Sequence, residues 1–162
     1  MERPRREENL NALTHGLGTV LSLVATTILL SRVDFSVNPE LWFACVVYGL
    51  ALISVYLNST LSHLVRTPDA RRLFRQLDQA FIYLLIVATY TPFALVYLRT
   101  PFWFGLVALM WLLAVAGFLS KLWIAHRVDS VSVISYVALG WMPLLGGTSL
   151  FRDVPFGAVG GI

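Results

Sequence analysis

The chain has 162 residues, 57% of them hydrophobic and only 13% charged, with a net charge of +3 and a mean hydropathy of +0.74. A water-soluble domain carries about 25% charged residues, so a chain this poor in charge would present an apolar, aggregating surface to water. Lipid is its natural solvent, and the basic balance does not point to nucleic acid, because Lys and Arg fall in short segments between apolar runs, as topology charges do.

The first segment, "MERPRREE" (1–8), resembles the basic start of a signal peptide. The apolar run after it is longer than the roughly 7–15 residues of a signal's core, and it ends in "ILLSRVD" without a small-residue cleavage pattern. A retained first helix is expected. A bilayer core of about 30 Å needs roughly 20 apolar residues of helix. Five uncharged stretches meet that length or nearly so, at 13–30, 41–61, 80–98, 102–120 and 130–151. Their apolarity is continuous rather than alternating, which favours helices over barrel strands. The third holds Pro92, which removes a backbone hydrogen bond and is expected to kink the helix. The tail 154–162 starts a sixth apolar run that is too short to cross, so a longer parent sequence is expected. The fold class is an all-α integral membrane bundle, one transmembrane domain over 1–162, with five spans and the start of a sixth. The single cysteine, Cys45, lies inside a span and has no partner in the chain for a disulfide.

Orientation follows from the basic residues. Nine Lys and Arg lie in the N-terminal segment and the second and fourth loops, and three (Arg32, Arg99, Arg152) lie on the other side. Cytoplasmic segments are the ones enriched in Lys and Arg, so the N-terminus is expected in the cytoplasm. The start of the first span, the end of the second and the start of the third then share one membrane depth. Those three places carry His15, then Ser59 and His63, then Asp78. Ser59 and His63 are four apart and lie on one helix face, and Glu8, Asn11 and His15 share a face if the first helix starts that early. Imidazole and carboxylate together suit Zn²⁺, and a hydroxyl beside them can orient a bound water. The alternative is that these are ordinary interfacial residues, with Asp78 paired to an arginine such as Arg75. His126, in "KLWIAHRVD", reads as a loop residue, and Glu7, Arg71 and Arg72 read as topology and solubility charges.

The segments "EENLNALTHGLG" (7–18), "STLSH" (59–63), "RLFRQLDQAFIYLLIVATYTPF" (72–93) and "GW" (140–141) resemble, in order, those of hemolysin III proteins. These are the bacterial branch of the progestin and adipoQ receptor family, which includes the adiponectin receptors. The resemblance implies a seven-helix bundle in the bacterial inner membrane with a zinc ion near its cytoplasmic face. It implies that Ser59 and His63 come from the second helix and Asp78 from the third, with His63 and Asp78 as metal residues and Asp78 and Ser59 as catalytic ones. Glu8, Asn11 and His15 match the family's first motif. The wider superfamily contains ceramidase-like hydrolases, so the resemblance implies attack of zinc-activated water on a lipid amide or ester, with membrane lipids as partners and a link to membrane-lipid homeostasis. A sensor, a cytolytic protein and an inactive fragment are the other readings. Two departures stand out. Gln79 occupies a position that is histidine in many relatives, and the 162 residues do not include the H-x-x-x-H motif that supplies the family's last two zinc ligands.

Overall fold

The structure, a computed structural model, describes residues 5–123 and 129–147. His126, the sixth apolar run and the last residues of the fifth stretch lie outside these. Four long helices run in chain order: α1 Arg5–Arg32, α2 Pro39–Leu64, α3 Pro68–Tyr97 and α4 Pro101–Trp123. A shorter helix, α5 Asp129–Trp141, passes into a 3₁₀ turn over Met142–Gly146. No strand occurs among the described residues. The chain is therefore an all-α membrane protein. Four of its helices are long and apolar enough to cross a bilayer, and the apolar helical stretch Val133–Gly146 is shorter.

The helix starts follow a shared local rule. Proline stands at the first turn of α2 and α3, where its missing N–H costs nothing. Asn38 precedes α2 and accepts a hydrogen bond from the Leu41 N–H at 3.1 Å, and the Thr100 hydroxyl does the same for Trp103 at the start of α4. The loops at 65–67 and 98–100 are so short that α2, α3 and α4 must run antiparallel to their neighbours.

Helix ends depart from the apolar runs. α3 begins at Pro68, well before the uncharged stretch that starts at 80, because Arg71, Arg72 and Arg75 are good helix formers. It also continues past Pro92 to Tyr97. The fifth stretch is not one continuous α-helix, since α5 stops at Trp141 and Pro143 sits in the 3₁₀ turn that follows.

Packing follows chain order: α2 lies between α1 and α3, α4 packs on α3, and α5 rests mainly against α3. The core between α3, α4 and α5 holds Val87, Met110, Ala114, Trp103 and Leu139. Leu13, Leu17 and Leu21 of α1 and Leu112 of α4 are exposed, as side chains that face lipid would be. The seam between α1 and α2 is built from small residues. A Cβ on Gly18 would strike the Tyr56 ring, and one on Gly49 would strike Thr26. Close backbone approach of this kind is how helices associate where lipid supplies no hydrophobic drive.

Candidate functional site

The first turns of α1, the last turns of α2 and the early turns of α3 meet at one end of the bundle. His63, in the last turn of α2, faces back to α1. Its Nδ1 lies 2.6 Å from Glu8 Oε2, a pair in which both side chains are only about one-eighth exposed (12% and 13%). A carboxylate at that distance favours a proton on Nδ1, which then donates to Glu8. Glu8 Oε1 faces Arg75 Nη2 of α3 at 3.8 Å. One carboxylate therefore ties α1 to both α2 and α3.

His15 lies two turns further along α1 and stacks on His63, with ring centroids 5.7 Å apart and planes 12° from parallel. Tyr56 of α2 flanks His15 at 6.3 Å. Deeper along the same seam the hydroxyls of Thr19 and Thr60 meet at 3.4 Å across the two helices. Ser59 is buried, and the Asp78 carboxylate of α3 lies within the electrostatic reach of its hydroxyl and of His15 and His63. The Ser62 hydroxyl turns back to the Ser59 carbonyl at 2.8 Å, which holds this last stretch of α2 together.

Five of the six residues singled out from sequence are thus drawn into one connected set: Glu8, His15, Ser59, His63 and Asp78. Asn11 is not drawn into it; its carbonyl accepts from the Thr14 hydroxyl at 3.0 Å, outside the set. Arg75 does not pair with Asp78, as the interfacial alternative has it. It reaches across to Glu8 instead. The Glu8–His63 pair and the imidazole stack have no signal in local spacing, since the partners are 55 residues apart for the pair. Gln79 is also engaged. Its side-chain oxygen accepts from Lys121 of α4 at 2.9 Å, and its carbonyl accepts from the Tyr136 hydroxyl of α5 at 2.7 Å.

The donor set is short for zinc. His63 Nε2 and the Asp78 carboxylate are suitable in kind, and the Glu8–His63 pair has the form of a carboxylate that orients a metal-binding imidazole. A catalytic zinc takes three protein ligands. Among the described residues no group of three His, Cys, Asp or Glu side chains converges on a point that would hold a metal. These residues alone do not fit a zinc ion.

Comparison with known proteins agrees with the fold and with the order of the motifs. The family profile described as "Haemolysin-III related" matches residues 4–158. The chain is 37% identical over 149 residues to "Hemolysin-3" of Bacillus cereus, covering 92% of this chain and 68% of that protein. It is 32% identical over 152 residues to "Hemolysin-3 homolog" of Bacillus subtilis (strain 168), covering 92% of this chain and 70% of that protein. No solved structure matches the chain significantly. With a family match that spans nearly all of its length, in a bundle of apolar helices, the chain belongs to the haemolysin-III-related family of membrane proteins.

Proposed function

We propose that this protein is a membrane-embedded hydrolase that cleaves an amide or ester bond of a lipid, at the end of the bundle where α1, α2 and α3 meet. One observation carries the reading. Glu8, His15, Ser59, His63 and Asp78, from three helices, form a single connected polar cluster inside an otherwise apolar bundle. Ionisable groups in such a setting are costly and are by default functional.

The residues present can do part of the chemistry. Hydrolysis joins the oxygen of water to the carbonyl carbon and breaks the C–N or C–O bond. One proton passes from the water to a base and then to the leaving amine or alkoxide. Asp78 is the base in this reading, with the Ser59 hydroxyl beside it. Glu8 holds the ring of His63 through Nδ1. Zinc belongs to the proposal only together with donors other than His63 and Asp78. In this reading the N-terminus, with this end of the bundle, faces the cytoplasm, which the Lys and Arg distribution supports, and the protein lies in the bacterial inner membrane.

The test is turnover of a fluorogenic lipid amide and a lipid ester by the full chain in phosphatidylcholine nanodiscs, with metal content measured on the same samples. Turnover is expected to fall by about 10²-fold or more in Asp78→Asn, the loss typical for removal of a general base. Bound zinc that disappears in His63→Ala supports a metal role, and turnover without zinc removes the metal from the reading. Absence of turnover on both lipid classes overturns the hydrolase.

A cytolytic role is the second reading, favoured by the name "Hemolysin-3" that the Bacillus cereus relative carries. A pore within one chain needs a polar stripe along whole helices. The described helices instead bring His15, His63 and Asp78 together at one end and expose leucine along α1 and α4. Single-channel recording on reconstituted protein separates the two, since hydrolysis produces no unitary currents.

A further inference from the structure

A crevice of about 520 Å³ opens beside the Glu8–His63 pair, within the size range of small-molecule sites. Its lining includes Arg5, Glu8, His63, Arg66 and Arg71. The three arginines come from three separate pieces of chain: the first turn of α1, the α2–α3 loop and the first turn of α3. Topology charges need only lie on the right side of the membrane, and nothing in that requirement brings them to one opening.

The charges in the crevice do not cancel. Glu8 is the only carboxylate in the lining among the described residues, and both its oxygens are engaged, one by His63 and the other facing Arg75. Arg71 is anchored by its Nε, which donates to the Val65 carbonyl at 3.1 Å, and this leaves the two terminal nitrogens of its guanidinium available. Among the described residues, Arg5, Arg66 and Arg71 form no ion pair within 4 Å. Three guanidiniums converging on one opening repel one another, and an anion with several acceptor oxygens relieves that repulsion. The planar fork of arginine matches phosphate oxygens two at a time.

We propose that this crevice binds a phosphate group, carried either by a lipid headgroup or by free phosphate. The site stands whether or not the neighbouring cluster hydrolyses anything, so its test reads binding alone. The full chain in detergent micelles is titrated calorimetrically with dihexanoyl phosphatidic acid, with inorganic phosphate and with dihexanoylglycerol, which has the same acyl chains and no phosphate. Saturable binding is expected for phosphatidic acid and none for dihexanoylglycerol. Arg5→Gln and Arg66→Gln are each expected to weaken binding by about tenfold, the effect of one charge-assisted contact. Both side chains are exposed, so neither change threatens the fold. Arg99→Gln, which removes a charge at the opposite end of α3, is expected to leave binding within about twofold.

Inorganic phosphate that binds as tightly as the lipid identifies a free-anion site. Binding of the lipid alone identifies a headgroup site. Either result upholds phosphate as the ligand chemistry. The proposal is overturned if neither phosphate compound binds saturably, or if dihexanoylglycerol binds equally well. It is also overturned if the Arg5 and Arg66 variants behave like Arg99→Gln.

Discussion

The two halves of this bundle are held together differently. Between α3, α4 and α5 the contact is made by bulk: Met110 and Val87 are fully buried, Trp103 is nearly so, and rings such as Tyr83 and Tyr136 meet at 4.5 Å. Glycines admit a neighbour in both halves, Gly117 and Gly146 against Tyr83 and Trp103 here, Gly18 and Gly49 against Tyr56 and Thr26 between α1 and α2. But the described residues that α1 and α2 bury are small or polar ones such as Ala12, Ser22, Ala44, Ala51 and Ser62. Polar groups then bridge the narrow gap, from Thr19–Thr60 to Glu8–His63. In lipid a large apolar side chain gains little by leaving its solvent, so packing and hydrogen bonds decide which helices associate. The bulky half serves as a scaffold. The narrow half brings ionisable groups on separate helices close enough to touch.

The sharpest way to break this division is to fill the narrow seam. Gly49→Leu puts a branched side chain into the β-branched, stiff Thr26, which has little freedom to turn away. The expected cost is about 3 kcal/mol, the upper part of the usual range for overpacking. It should part α1 from α2 and abolish the Glu8–His63 contact. Thermal unfolding in detergent checks the first effect, and loss of protection of the α1 amides in hydrogen exchange checks the second. Retained α1 protection would mean that the glycines are not what sets the approach. Met110→Ala tests the other half. In water-soluble cores Met→Ala costs about 2–5 kcal/mol. Here the transfer part of that cost is reduced by the lipid reference and the lost contacts remain, so about 2 kcal/mol is expected. The α1 amides should stay protected, because Met110 touches the scaffold half only.

Much of the scaffold was legible in the sequence, because the bilayer demands long apolar runs and this chain has them. What was not legible was where helices stop being apolar without stopping being helical. The basic first turns of α3 look like a loop to a hydropathy reading, yet Pro68 opens a helix there and Arg71, Arg72 and Arg75 continue it. The fifth run read as one span because hydropathy does not register that Pro143 follows a helix end. At the site, a shared depth for Ser59, His63 and Asp78 followed from two antiparallel helices and a short loop. The Glu8–His63 pair did not, because the rotation of α1 about its axis is set by Gly18 and Gly49 against Tyr56 and Thr26. Spacing could place Glu8 on the face of His15, and it could not say that this face would turn toward α2. For the same reason the sequence leaves the partner of Arg75 open. The nearer carboxylate in sequence is Asp78, but the one in reach is Glu8.

The smallest expected effects compare the two partners of Glu8 directly. Glu8→Gln keeps an acceptor near His63 and removes the charge, which lowers the strength of a hydrogen bond of this kind by about 1 kcal/mol. Arg75→Gln removes a contact that is longer, at 3.8 Å, with a guanidinium 51% exposed, and such pairs contribute less than about 0.5 kcal/mol. The two variants therefore rank the links that Glu8 makes to α2 and to α3. Nitrogen-15 spectra of His63 supply a readout that a general loss of stability would not move. With Glu8 intact the proton should sit on Nδ1, and Arg75→Gln should leave it there. Glu8→Gln should let the proton divide between the two ring nitrogens, since an amide oxygen holds it less strongly than a carboxylate. A His63 spectrum that responds to Arg75→Gln as much as to Glu8→Gln would show that the carboxylate is positioned from α3. The site would then depend on the scaffold half as well as on the narrow seam.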